Sequence, residues 1–203
     1  MMRAAAGTLL LLGLSVVLAS PLAAGEELAP ITAAEAARRT AESRDFLTDM
    51  LWLNTEGHWH EGRWGECIRL CRQIVQLDPQ FVEAYTSAAW LLWSTDRDED
   101  AIELYRAGIA ANPDSYQAYH EFGMYFWHEQ KWEQAAEQFR KSVANGAPQA
   151  LQRMLPNALE RAGRIDEAIA EWRELLRRFP DDPIAKNRIE RLEKELEQEK
   201  KVV

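Results

Sequence analysis

The sequence is poor in cysteine and lacks the motifs that identify most enzymes. Its only cysteines, Cys67 and Cys71, lie four residues apart on one predicted helix, a spacing at which a disulfide is geometrically awkward. We therefore expect buried, free thiols. The chain has no zinc-type cysteine pairs, no nucleophile elbow, no H-E-x-x-H motif and no phosphate-binding glycine loop. The sequence thus predicts no catalysis, no metal site and no other cofactor.

Clusters of basic residues are also missing. The 24 Lys and Arg residues are outnumbered by 33 Asp and Glu, which gives a formal net charge of −9. Proteins that bind nucleic acid need a basic face, so we do not expect nucleic acid as a partner. With 47% hydrophobic and 28% charged residues, the composition is that of a globular protein with a real core.

Only one long apolar run is present, and it lies at the N-terminus. Arg3 precedes the uncharged residues 4–24, and Ala23-Ala24-Gly25 offers small side chains at a cleavage point. This pattern predicts a signal peptide over residues 1–25, and hence an exported protein, periplasmic or secreted, with no stable membrane span after cleavage. The alternative is an uncleaved anchor, because 21 uncharged residues suffice to span a bilayer.

Residues 26–47 form the predicted lead-in to the main part of the chain. Pro30 and Thr32 are helix start signals, and the following Ala-rich segment predicts a helix from Ile31 to about Thr48. We expect this lead-in helix to pack on the unit that follows it.

From residue 48 onward a pattern recurs every 34 or 33 residues. One unit, 82–115, reads as two short helices, of which the first ends near Ser94 and the second at Asn112-Pro113. The same pattern returns in 48–81, 116–148 and 149–182. Large and small apolar residues alternate at fixed offsets, and the third unit shows this best, with Tyr119, Phe122, Gly123, Phe126, Ala135 and Phe139.

This pattern resembles the tetratricopeptide repeat. The resemblance implies an all-α, right-handed superhelical solenoid of four helix-turn-helix pairs that binds other proteins and is not an enzyme. In the fourth unit Pro156 stands inside the first helix, where we expect a kink or a shortened start. The charged, amphipathic segment 183–203 predicts a C-terminal capping helix, with a short coiled coil as the alternative.

The resemblance also implies which residues line a concave groove. In this family the first helix of each pair faces the groove through its fifth, ninth and twelfth positions. We also place His60 and His128, which share one repeat position, in this groove. The residues at the three positions are Trp52, Glu56, Trp59, Thr86, Trp90, Trp93, His120, Met124, Trp127, Arg153, Asn157 and Glu160.

Tryptophan dominates the predicted groove. Trp59, Trp93 and Trp127 recur at intervals of 34 residues, so we expect them to form a ladder, with Trp52 and Trp90 beside it. Because the ladder should be exposed, we expect Trp93→Ala to abolish binding at little cost in stability. Acidic residues at the rim (Glu56, Glu83, Glu121 and Glu160) favour an apolar or basic protein segment as the partner.

Three alternatives remain open at this point. The tryptophans could belong to the core, since aromatic residues at helical spacing usually do. The protein could self-associate as a structural assembly that buries the ladder between copies. It could also bind carbohydrate, because sugars stack on tryptophan rings.

Overall fold

A computed structural model of the protein describes residues 32–202, with side chains up to residue 198. The regular elements of this part of the chain are α-helices. Their bounds are α1 Ala33–His60, α2 Trp64–Leu77, α3 Val82–Trp93, α4 Asp98–Ala111, α5 Tyr116–His128, α6 Trp132–Ala144, α7 Gln149–Gln152, α8 Met154–Arg161, α9 Ile165–Arg178 and α10 Pro183–Val202. The predicted all-α class is confirmed.

The N-terminal helix is longer than the sequence analysis expected. α1 runs without a break for 28 residues, so the predicted lead-in helix and the first helix of the first repeat form one element. Thr32 caps it by accepting a hydrogen bond from the Glu35 N–H at 3.1 Å. No Gly or Pro occurs between Thr32 and Gly57, so nothing interrupts the helix where a boundary had been expected.

Helices then pack in antiparallel pairs, α1 with α2, α3 with α4, α5 with α6 and α8 with α9. Small residues allow the two helices of a pair to approach closely. A Cβ on Gly123 would lie 2.6 Å from Cε1 of Phe139, so only glycine fits where α5 crosses α6. The aromatic side chains fill the space between successive pairs, as in the stacked rings of Tyr105 and Phe122, 5.2 Å apart.

Pro156 has the effect that the sequence predicted. The first helix of the fourth repeat is split into the short α7 and the eight-residue α8, with Arg153 between them. Proline cannot donate a backbone hydrogen bond to Gln152, four residues earlier, and its ring crowds that carbonyl. Pro156 therefore lies in the first turn of a new helix, where its missing N–H costs nothing.

The last helix packs on the end of the repeat array. Leu192 and Ala185 of α10 are buried in the main hydrophobic core, and Ile189 and Leu196 pack against it. Ile184, an apolar residue of the same segment, lies off this packed face and is 44% exposed. Ala185, one residue further along, is the residue that turns inward.

Both cysteines are free and buried, as expected from their spacing. Burial raises the pKa of Cys71 to about 12, so this thiol stays protonated and unreactive at neutral pH. Between residues 32 and 202 no helix is long and apolar enough to cross a bilayer. The predicted signal peptide, residues 1–25, lies outside the described residues.

Candidate functional site

Three clefts follow one another along the first helices of the repeats. Cleft 1, about 390 Å³, lies between α1 and α3 and is lined by Trp52, Thr55, Glu56, Trp59, His60, Ser87 and Leu91. Cleft 2, about 280 Å³, lies between α3 and α5 and is lined by Trp90, Trp93, Tyr105, His120, Glu121, Met124, Tyr125 and His128. Cleft 3, about 300 Å³, is lined by Trp127, Asn157, Glu160, Arg161 and Arg188.

The predicted groove residues other than Thr86 and Arg153 line these three clefts, but in the described part of the chain no ring contact joins Trp59, Trp93 and Trp127 into a ladder. The Trp59 ring lies 5.6 Å from that of Trp90, which is its neighbour on the next repeat. Trp93 instead stacks on His128 at 5.2 Å, and Trp127 meets the edge of Trp132 at 5.1 Å. Each member of the predicted ladder therefore has a different aromatic partner.

Exposure divides these tryptophans into two groups. Trp59 and Trp90 are 38% and 43% exposed, so together they present an open aromatic surface between clefts 1 and 2. Trp52, Trp93 and Trp127 are only partly exposed, and each packs against a core cluster. Some of the predicted groove tryptophans therefore belong to the core, and the others lie on an exposed surface.

Trp93 in particular is held in place by several contacts. Its Nε1–H donates to Glu129 Oε1 at 2.9 Å, and its ring packs on two core clusters as well as on His128. The expectation that Trp93→Ala would cost little stability is therefore wrong. Truncation would remove packing from both clusters and leave the Glu129 carboxylate without this donor.

Among the titratable groups that line cleft 2, His120 and Glu121 both lie in surroundings that shift their pKa. His120 is 7% exposed, against the expectation that it faces the groove openly, and its ring packs on Phe139 at 5.5 Å. Burial lowers the pKa of His120, so its imidazole is neutral at pH 7. Burial raises the pKa of the neighbouring Glu121 carboxyl, because the charged form is poorly solvated beside the aromatic walls of the cleft.

The predicted acidic rim is acidic at one end only. Glu56 and Glu83 are exposed, but Glu160 Oε1 accepts hydrogen bonds from Arg188 at 3.3 Å and from Arg191 at 2.5 Å. Glu160 therefore holds α10 against α8 and is not a free acidic group at the rim. Cleft 3 also contains Arg161, whose guanidinium lies 5.8 Å from the Trp132 ring.

Several cleft residues were missed by the sequence analysis. Trp64 and Trp132 contact the tryptophans of clefts 1 and 3, and their interval of 68 residues, two repeats, was a usable signal. Tyr105 and Tyr125 line cleft 2 but were not among the predicted groove residues. Arg188 belongs to α10, outside the repeats, so the repeat pattern gave no means of placing it near cleft 3.

No group of three or more His, Cys, Asp or Glu side chains suited to a metal ion occurs within residues 32–202. The four histidines are dispersed in the described structure. His58 Nδ1 accepts a hydrogen bond from Arg63 Nε at 2.7 Å, while His60, His120 and His128 line two different clefts.

Paired helices of this length, stacked on one another with small residues at their crossings, define a helical-repeat protein. Models of the tetratricopeptide repeat match residues 58–122 and 153–189. The chain is a tetratricopeptide-repeat protein. Proteins of this family are generally non-enzymatic scaffolds, and the repeats support a role in protein–protein interaction.

Solved structures of similar fold share little sequence with this chain. PilF of Pseudomonas aeruginosa is 15% identical over 77% of this chain and 72% of its own, with a TM-score of 0.59. MamA is 18% identical over 68% and 81%, with a TM-score of 0.54. TTC0263, a thermophilic tetratricopeptide-repeat protein of Thermus thermophilus, is 17% identical over 71% and 80%, with a TM-score of 0.51. No curated protein matches the sequence. At these identities the likeness shows the fold alone.

Proposed function

We propose that this protein is a scaffold that holds an extended segment of a partner protein along clefts 1 and 2. The observation that supports this best is the pair of exposed rings, Trp59 and Trp90, 5.6 Å apart at the boundary of the two clefts. Tryptophan is enriched where binding energy concentrates, and contiguous exposed apolar surface marks interaction sites.

The charges of the clefts favour a segment with a basic side chain. Glu56 lines cleft 1 and Glu121 lines cleft 2, beside Trp90 and Trp93. A Lys or Arg side chain placed there would meet both aromatic faces and a half-buried carboxylate, two attractions that reinforce each other when water is excluded. Cleft 3 would repel such a side chain because Arg161 and Arg188 line it.

Peptide selection on the purified protein tests this proposal. We expect selected peptides to combine aromatic or aliphatic residues with a Lys or Arg. Trp90→Ala should weaken their binding about tenfold or more, because it removes half of the exposed ring pair. Glu121→Gln should weaken binding of a basic peptide about threefold to tenfold and leave its Lys→Met analogue unaffected, as measured by calorimetry.

Glu103→Gln is the matched control, since Glu103 is an exposed glutamate on α4, the second helix of its repeat. It should bind like the unchanged protein. If Glu121→Gln lowered the affinity for the basic peptide and for its neutral analogue equally, the proposed role of the carboxylate would be refuted. Unchanged binding in Trp90→Ala would refute the aromatic site itself.

We propose further that the scaffold acts after export, in an envelope-associated assembly. The support is the N-terminal pattern alone: a single basic residue, an uncharged run over residues 4–24, and the small residues Ala23-Ala24-Gly25. The intact mass of the protein recovered from a producing cell should correspond to a chain that begins at Glu26. A mass that includes residues 1–25 would show that the segment is kept, as an anchor would be.

A further inference from the structure

The outer side of α1 exposes a row of large apolar residues. Phe46, Met50 and Leu53 are 65%, 49% and 61% exposed, and we call these three residues the outer stripe. At about 100° per residue they lie about 140–200° around the helix from Thr48, which is buried against the rest of the protein. The outer stripe therefore points directly away from the repeats.

The first half of α1 also reaches beyond its neighbour in the repeat. α1 has 28 residues and is about 42 Å long, whereas α2 has 14 residues and is about 21 Å long. None of residues 33–47 is buried. An isolated helical arm of this size is marginally stable in water, so a packing partner along the outer stripe would stabilise it.

We propose that the outer stripe is a homodimer interface, in which the α1 helices of two copies of this chain pair antiparallel about a twofold axis at Met50. The two Met50 side chains would then face each other, and Phe46 of each copy would lie beside the partner's Leu53. Ser43 would lie opposite the partner's Gly57, and these two small residues would let the helices approach closely. The outer stripe thus complements itself.

Charge complementarity selects this arrangement over a parallel one. Arg39 of α1 and Glu61, the C-cap residue directly after α1, are each eleven residues from Met50, and the helical spacing places both on the side of the outer stripe. Both side chains are largely exposed, at 61% and 55%, although Arg39 also pairs with Glu35 and Glu61 with Arg63 in the same chain. In the antiparallel pair one Arg39 lies beside the partner's Glu61 at each end of the interface. A parallel pair would place Arg39 beside the partner's Arg39 and Glu61 beside the partner's Glu61.

This interface is separate from the proposed partner site. Trp52 and Trp59, which line cleft 1, lie about 20–40° around α1 from Thr48, on the side opposite to the outer stripe. Pairing through the outer stripe would therefore leave the clefts open and give one assembly two copies of them. The proposal does not depend on the function of the clefts.

Cysteine crosslinking of the full-length chain tests the geometry, because Cys67 and Cys71 are buried and do not compete. Under mild oxidation we expect Met50→Cys to give a disulfide-linked dimer. Phe46→Cys alone should crosslink poorly, since the two positions would be about 12 Å apart along the axis. A mixture of Phe46→Cys and Leu53→Cys proteins should crosslink well. Arg69→Cys, exposed on α2 and away from the interface, is the control that should not crosslink.

Equal crosslinking of Phe46→Cys and Met50→Cys would indicate a parallel pair and overturn the proposed arrangement. Sedimentation provides the second measurement. Met50→Glu should raise the dimer dissociation constant about tenfold or more, because it buries a carboxylate in the apolar interface. Gln76→Glu, on the surface of α2, should leave it unchanged. The proposal would be overturned if the unchanged full-length chain sedimented as a monomer and the Met50→Glu variant had the same mass. That result would point to residues 1–31 as the cover of the outer stripe.

Discussion

Trp172→Ala should lower the free energy of unfolding by about 3–5 kcal/mol, one of the two largest losses we expect from a single substitution. Trp172, on α9, is the largest side chain of the main core and is fully buried. Truncation removes most of its apolar contacts and leaves a cavity that its neighbours fill only in part. Chemical denaturation followed by circular dichroism measures this change.

The indole of Trp172 allows a sharper version of the experiment. Its Nε1–H is buried without a hydrogen-bond partner in residues 32–202, so Trp172→Phe removes an unsatisfied donor along with part of the ring. We expect Trp172→Phe to be clearly milder than Trp172→Ala. Trp64→Ala, at a position 38% exposed, is the control and should cost about 1 kcal/mol or less. Similar losses for Trp64→Ala and Trp172→Ala would contradict the placement of the core.

Asp182→Ala should cost about 3–5 kcal/mol by breaking a buried ion pair and a helix cap together. Its Oδ2 accepts from Gln149 Nε2 at 3.0 Å and from Arg153 Nη2 at 2.9 Å. Its Oδ1 accepts from the N–H groups of Ile184 at 3.0 Å and Ala185 at 3.1 Å, at the start of α10. One carboxylate therefore joins the last repeat to the helix that covers it.

The same residue should make stability depend on pH. Burial by itself would raise the pKa of Asp182, but hydrogen bonds from Gln149, the Ala185 N–H and Arg153 outweigh it and hold the pKa below the ordinary 3.8. Because the folded protein binds this proton less readily than the unfolded chain, the stabilisation is complete well above pH 3.8 and is lost as the pH falls below it.

Asp181→Ala is the matched control for both measurements, since Asp181 is the exposed neighbour of Asp182. The difference in unfolding free energy between Asp181→Ala and Asp182→Ala should be large at pH 7 and shrink as the pH falls below about 4. A difference that does not change with pH would mean that the Asp182 carboxylate is not what holds α10. In the Asp182→Ala protein we expect cleft 3, which Arg188 of α10 helps to line, to be disturbed and cleft 1 to be intact.

Local features of the fold could be predicted because they depend on short-range chemistry. The 34-residue period places small residues such as Gly123 opposite large ones such as Phe139, and that alternation requires paired helices. Pro156 interrupts its helix whatever the helix packs against, because the missing N–H is a property of proline itself. The unbroken α1 was missed because the start of the first repeat unit was taken as the start of a new helix, although no residue there interrupts the helix.

The candidate site was predictable as a set of positions but not as a surface. The repeat register was enough to name many of the side chains that line the clefts, among them Trp59, Trp90, Trp93 and Trp127. Only the tertiary structure decided which of them remain open, since exposure depends on the neighbouring repeat. Trp59 contacts Trp90 of the next repeat and both stay exposed, whereas Trp93 is covered by His128 and donates a hydrogen bond to Glu129.

The same reason applies to charge. Glu160 was predicted as an acidic rim residue from its repeat position, and that position is correct. The sequence determined where Glu160 sits on its helix, but packing of α10 brought Arg188 and Arg191 onto its carboxylate. Periodicity within a chain fixes which face a residue occupies. What that face then meets depends on contacts between residues far apart in sequence, and only the folded chain brings these together.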